Sequence, residues 1–424
     1  MIQTARTKGD WRGVGERIMA DARALAADSE APDMMTRTYL TAAHHAAAQR
    51  LTAWMRAAGM QVRRDAAGNV IGRYESTQPD APALLTGSHF DTVRNAGIYD
   101  GNLGVLLPIA CVDAWSKAGR RFPFAIEVIG FAEEEGVRFK ATLLGSRALA
   151  GTFDTSVLDN LDEDGVSMRQ AIDTAGLSQD GKPLTHADIP AAAYRRQEVK
   201  AFVEVHIEQG PVLLRNSLPL GIVTAISGAT RLMVEVEGMA GHAGTTPMNM
   251  RQDAAAAAAE IVLAVEKRCS GKAGLVGTVG QLGVPNGATN VVPGKAVLSI
   301  DIRAGEDAER QAAVADVLEE IKSIAARRKV KINTRKTHDA PSVPCAPSLQ
   351  RRWQAALEAC GQPVMYLPSD AGHDAMAMAA VADVAMLFVR CGNGGISHNP
   401  LETMTAEDAA AAARVFAMFV ESFA

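Results

Sequence analysis

Four stretches of this 424-residue chain carry side chains of the kind that hold metal ions or move protons. The first is Gly87-Ser88-His89-Phe90-Asp91, running on through Asn95-Ala96-Gly97-Ile98-Tyr99-Asp100-Gly101. An imidazole and a carboxylate in one glycine-punctuated loop suit a borderline divalent cation. The second is Glu133-Glu134-Glu135-Gly136. Three adjacent acids repel one another, so something cationic should compensate them. His206 closes the third, just before Glu208-Gln209-Gly210-Pro211, and His398 sits in the fourth, Gly394-Gly395-Ile396-Ser397-His398-Asn399-Pro400. Singly, each has an ordinary explanation: a surface loop, a solvated acidic turn, a core histidine. Together, His89, Asp100, Glu135, His206 and His398 are too many ligands for one tetrahedral zinc with an open position. They suit two metals that share a bridging carboxylate. Asp91, two residues after His89, is placed to accept from an imidazole and so orient it.

The elements around these stretches explain how they could meet. Ala83-Leu84-Leu85 reads as a buried strand that delivers His89 at its C-terminal end, and Leu103 to Trp115 reads as the following helix. Phe124–Phe131 is a strand that finishes on the acidic run, Phe202–Ile207 is an apolar alternation, and Val384–Arg390 is a strand leading to His398. Strand, loop, helix, strand is the rhythm of a largely parallel sheet covered by helices. In such sheets ligands bind beyond the carboxyl ends of the strands. Further helices are expected over 11–28, 36–59, 348–360, 372–380 and 405–423, with a hairpin at 61–74 and mixed helix and loop over 151–200. His44 and His45, inside the 36–59 helix, are read as structural or exposed.

From about Leu220 to Asn333 the pattern changes. Strand Arg231–Gly238, helix Arg251–Cys269, strands Leu275–Leu282 and Ala296–Arg303, helix Asp307–Arg328 and strand Val330–Thr334 follow in the order β-α-β-β-α-β. That is a split βαβ unit, a compact sheet with two helices. The expected fold class is therefore α/β, a mostly parallel mixed sheet flanked by helices at 1–217 and 334–424. An α+β domain is inserted at 218–333.

Length alone calls for two domains. A composition of 48% hydrophobic and 21% charged residues is that of a soluble globular protein. A net charge of −5 without a dense basic cluster argues against nucleic acid or a membrane surface as partner. Met1-Ile2-Gln3-Thr4-Ala5-Arg6-Thr7-Lys8 has no apolar core, so no signal peptide is expected. No apolar run approaches the ~20 residues that span a bilayer. The five scattered cysteines form no Cys-x-x-Cys pair and are expected to stay reduced, in a cytoplasmic setting.

The motifs also carry a resemblance. Ser88-His89-Phe90-Asp91-Thr92-Val93, Glu134-Glu135-Gly136-Val137-Arg138-Phe139, His206-Ile207-Glu208-Gln209-Gly210-Pro211, Gly241-His242-Ala243-Gly244-Thr245-Thr246-Pro247-Met248, Ala371-Gly372-His373-Asp374-Ala375 and Gly395-Ile396-Ser397-His398 resemble the amidase branch of the dimetal M20 peptidase family. They occur in the family's order, from about residue 40 onward. Two departures stand out: Asp370 where the family usually has Gly, and Asn95-Ala96-Gly97 in place of a more common Gly-Gly. Asp370 leaves the ligands untouched but bears on substrate fit.

The resemblance implies that Asp100 bridges two divalent ions, with His89 and His206 on one and Glu135 and His398 on the other. Zinc, manganese, cobalt and nickel all suit this donor set. Histidine at 206, where the peptide-cleaving relatives carry an acid, favours the amidase branch. It further implies Glu134 as general base, His242 as donor to the oxyanion, and Arg303 with Asn290 as the grip on a substrate carboxylate. Gln209, Gly372 and His373 would form the rest of the substrate wall. The inserted domain would be a lid and dimerisation domain, a partner subunit's lid completing each site of a homodimer. The implied reaction is hydrolysis of a ureido group on a carboxylate-bearing carbon. Allantoate is favoured by Gly-Ile-Ser-His-Asn-Pro, with N-carbamoyl-L-amino acids and β-ureido acids as alternatives. A dipeptidase or aminoacylase of the same superfamily is the rival of another class.

Overall fold

A computed structural model describes residues 10–424, so the N-terminal stretch read above for a leader lies outside the described residues. The chain divides into two compact units. One is built from residues up to Thr224, Cys345–Leu367 and His373–Ala424, the other from Ala225–Pro344 and Pro368–Gly372.

The first unit is organised on a mixed sheet. Its strands lie in the order Gln61–Arg64, Val70–Tyr74, Ala125–Phe131, Ala83–His89, Val199–Ile207, Val384–Val389 and Leu220–Ile226. The central four run parallel: His89 pairs with Phe131, Thr86 with Val203, and Phe388 with His206. The outer strands are antiparallel, including the expected hairpin, in which Gln61 faces Arg73. Every residue of Ala83–His89 and Ala125–Phe131 is buried, as parallel strands covered on both faces must be. Phe202–Ile207, expected to alternate, is likewise buried throughout, because it sits at the centre of the sheet.

Two expected helices are shorter than the pattern suggested. The one predicted from residue 36 starts at Ala42, where Thr41 Oγ1 caps it by accepting from the His44 amide at 3.3 Å. Residues 36–41 stay irregular because their polar groups serve other loops; the Arg37 amide donates to Thr92 Oγ1 at 2.9 Å. The helix expected over 372–380 shrinks to Ala375–Met378. His44 is fully buried, stacked on Phe90 and bonded through Nε2 to the Ala132 carbonyl at 2.8 Å, which is a structural role. All five cysteines are free and buried. No helix among the described residues is long and apolar enough to cross a membrane.

The second unit has the β-α-β-β-α-β order. Its four-stranded antiparallel sheet runs Leu275–Gly283, Lys295–Ala304, Gly228–Glu237 and Lys331–Ala340. Burial alternates along Gly228–Glu237 and Lys295–Ala304, so one face of the sheet is apolar. That face packs Val234, Leu298 and Ile300 with Ile261 of helix Ala254–Cys269 and Val317 and Ile321 of helix Asp307–Arg328. The boundaries fall later than the expected 218–333. Leu220–Ile222 pair with Leu387–Val389, and the last strand runs on to Ala340.

Candidate metal centre

The four central strands of the first unit all end on the same edge, and each hands over a side chain there. His89 is the last residue of its strand, His206 the penultimate residue of its own, Glu133–Glu135 follow Phe131, and His398 lies in the loop after Val389. Asp100 comes from the loop that starts helix Asn102–Lys117. His89, Asp100 and His206 present ligand atoms within 4.8 Å of one another, as do Asp100, Glu135 and His398. Both groups contain Asp100. His206 Nε2 and His89 Nε2 approach Asp100 Oδ1 at 3.2 and 3.6 Å, whereas His398 Nε2 approaches Oδ2 at 3.2 Å. His398 Nε2 also lies 3.4 Å from Glu135 Oε1.

The imidazoles are aimed by their other nitrogens. His89 Nδ1 meets the Asp91 carbonyl at 3.0 Å and His206 Nδ1 meets the Ile207 carbonyl at 2.8 Å, which leaves both Nε2 atoms facing Asp100. Asp91, read as the acceptor that orients an imidazole, lies against His89: its backbone oxygen accepts from Nδ1, and its carboxylate Oδ1 stands 3.5 Å from the same nitrogen. The carboxylate accepts the amides of Glu134 and Glu135 at 3.0 and 3.2 Å, so it pins the acidic run. Gly101 is required here twice over. Its φ is +64°, and a Cβ at this position would lie 2.4 Å from the His89 ring. Gln209 and His398 also adopt positive φ, and Gln209 Nε2 donates to Asp100 Oδ2 at 2.9 Å.

The electrostatics call for a cation. Burial pushes the Glu134 carboxyl up to about 7 and that of Glu135 up to about 8, each reinforced by neighbouring acids. Burial, then Asp91, lifts Glu133 well above its usual range. Asp100 is the exception. Burial would raise it, but the adjacent imidazoles of His206, His398 and His89 hold it well below the ordinary carboxylate value. His398 is pushed up to about 9, first by its bond to Asp100. Asp100 Oδ1 is buried and accepts no hydrogen bond. Such an oxygen, ringed by aimed imidazole nitrogens and crowded acids, fits divalent cations in both donor groups.

Sequence reasoning missed three residues that frame this centre. Glu402 Oε1 accepts the amides of Tyr99 and Asp100 at 2.8 and 3.2 Å and so sets the Asp100 backbone. Glu204, two residues before His206, accepts from Ser88 Oγ at 2.6 Å and from the Ala375 amide at 3.0 Å. An acid within an otherwise apolar strand was the available signal. Arg37 is fully buried and donates to the Phe90 carbonyl at 2.6 Å and to Asn102 Oδ1 at 2.8 Å, tying the loops that carry His89 and Asp100.

The remaining expected residues divide between the units. His373 packs its ring against His206, centroids 4.6 Å apart, in the first unit. His242, Asn290, Arg303 and Gly372 belong to the second. His242 is exposed at the end of the two-residue strand Gly241–His242, its Nδ1 accepting from the Gly244 amide at 3.1 Å, and the neighbouring Ala243 amide donates to the Asn290 carbonyl at 2.9 Å. Arg303 was expected with Asn290 beside it; its hydrogen-bond partners are Asp301 and the Asp370 carbonyl.

The sequence pattern of peptidase family M20/M25/M40 matches residues 85–422. The chain belongs to this family. Its M20 relatives include an N-carbamoyl-L-amino acid amidohydrolase of Geobacillus stearothermophilus, 39% identical over 95% of this chain and 96% of that one. An allantoate deiminase of Arabidopsis thaliana is 38% identical over 99% of this chain and 85% of its own length. Among solved M20 structures, a hydantoinase/carbamoylase-family amidase from Burkholderia multivorans superposes with a TM-score of 0.89 at 30% identity, covering 96% of this chain and 97% of that one.

Proposed function

We propose that the protein is a dimetal amidohydrolase that cleaves the ureido C–N bond of a carboxylate-bearing substrate, best represented by allantoate. The observation that carries this reading is the pair of donor groups sharing Asp100, in an M20 chain whose relatives are named for ureido substrates. His89 and His206 would hold one ion, Glu135 and His398 the other, with Asp100 between them. Zinc, manganese, cobalt or nickel would each suit these donors. Bound ions of this kind bring the pKa of a shared water toward neutrality and polarise a carbonyl.

Glu134 takes the proton of the attacking water. It then returns the proton to the departing nitrogen. His242 donates to the oxyanion that develops on the ureido oxygen. Arg303 holds the substrate carboxylate, with Asn290, Gln209, Gly372 and His373 completing the wall. Allantoate would give ureidoglycine, ammonia and carbon dioxide.

The working form is a homodimer, with a second copy's lid residues completing each site. Its support lies in the second unit's sheet. The edge strand Leu275–Gly283 bears no charged residue and exposes Val276 and Leu282 at 42% and 56%, whereas the other edge is guarded by Lys331, Arg335 and Lys336. Natural proteins charge an edge that must stay free. Five free, buried thiols suit a reducing, cytoplasmic setting.

Chelated protein reloaded with one metal at a time should hydrolyse allantoate, releasing ammonia, faster than N-carbamoyl-L-amino acids or β-ureido acids. Turnover of dipeptides or N-acetyl amino acids without turnover of any ureido acid overturns the assignment.

A further inference from the structure

The carboxylate seat on the second unit is not a bare cation. Arg303 has five N–H donors. Three are used: Nε and Nη2 donate to the two oxygens of Asp301 at 3.0 Å each, and Nη1 donates to the Asp370 carbonyl at 2.6 Å. Asp301 also accepts from Arg231 Nε at 3.0 Å. One N–H remains on each terminal nitrogen of Arg303, so two donors are left to meet a carboxylate. A guanidinium locked on its flank and open at its tip is a ready seat.

Asp370 sets what can sit beside it. Ser227 donates through its amide to the Ser369 carbonyl at 2.8 Å and through Oγ to Asp370 Oδ1 at 2.7 Å, which fixes both backbone and side chain. Asp370 Oδ2 accepts no hydrogen bond among the described residues. Arg231, Met233, Asp301, Arg303 and Asp370 line one cavity of about 640 Å³. Two arginines face two aspartates there, so the cavity has no net positive charge to spare for a second anion.

We propose that Asp370 is a specificity-determining residue: its open oxygen accepts an N–H from the substituent next to the substrate carboxylate and repels a second carboxylate in that place. This rests on the reading that Arg303 holds the carboxylate of a ureido acid. The favoured substrates are mono-anions whose α-substituent ends in a donor, such as a second ureido group or a carboxamide. Dianionic ureido acids are turned away by like charge at close range.

The test compares kcat/KM for allantoate, N-carbamoyl-L-asparagine and N-carbamoyl-L-aspartate, using the metal-loaded full chain and the variants Asp370→Asn and Asp370→Gly. The unaltered protein should prefer the asparagine over the aspartate derivative by about tenfold or more, and Asp370→Asn should bring that ratio to within about threefold, mainly by raising the aspartate derivative. Asp370→Gly, which removes the acceptor, should lower allantoate and the asparagine derivative relative to the aspartate derivative. A merely structural role would depress all three substrates together; that result, or an unchanged ratio in both variants, overturns the proposal. Absence of turnover on all three by the unaltered, metal-loaded protein overturns the ureido reading itself, and this inference with it.

Discussion

The buried rim of the first unit and the open sheet face of the second are both crowded with charge, but the charges are balanced differently. At the rim, Asp91, Asp100, Glu133, Glu134, Glu135 and Glu402 gather around His89, His206 and His398, and among the described residues none of these six acids forms an ion pair with an arginine or lysine. On the open sheet face Arg231 and Arg303 share Asp301, and on the helix-covered side buried Arg310 bonds Asp307 at 3.0 Å and Asp339 at 2.6 Å. A surplus of buried acid leaves a place for added positive charge, and through it for chemistry. Neutral pairs in contact with water hold geometry and, on the proposal made above for Arg303 and Asp370, sort substrates.

The sharpest way to break this contrast is at the rim. Glu134→Gln keeps the side chain's shape and removes its base. Turnover of the best ureido acid should drop by about 10²–10⁴-fold while metal content per chain, read by elemental analysis, stays the same. Near-normal turnover with metal in place would remove Glu134 from the reaction. Next in size is Asp91→Ala, which leaves every donor atom present but frees the Glu134 and Glu135 amides. Metal affinity of the chelated protein, followed by calorimetry, should weaken by about 10–100-fold. A variant that binds metal as tightly as before would show that the acidic run needs no such anchor.

The smallest effect belongs to the second unit. Hydrogen bonds from Lys336, then Arg310 and Thr230, hold Asp339 well below the usual carboxylate range. The folded state favours its ionised form, so its contribution is complete above the ordinary carboxylate value and is lost as acid carries the pH down through the lowered one. With 43% of the side chain in water the contribution is at most about 1 kcal/mol. Asp339→Asn should flatten the acid limb of the thermal unfolding curve slightly. An undiminished acid limb would mean that other carboxyls carry it.

The two regions were also unequally legible in the sequence. Strand ends are written in apolar runs, so His89, His206, Glu135 and His398 could be assigned to a common edge before any coordinates. The β-α-β-β-α-β order was equally plain, because alternation and helical spacing survive in an open antiparallel sheet. Glu402 and Arg37 were not legible. Each acts by bonding backbone atoms of a loop distant in sequence, and neither lies on a periodic element that would point it inward. Leu220–Ile226 was absorbed into the inserted segment because a strand that leaves one sheet for another domain looks the same in sequence as one that stays.

Gly101 leaves a mark that can be looked for without an assay. A chain can keep every histidine and acid of the rim and still be inert if residue 101 gains a methyl group, since that single carbon occupies the volume of the His89 ring. Gene copies in which this position has drifted are thus expected to persist only as silent paralogues, and one codon suffices to sort them from working enzymes.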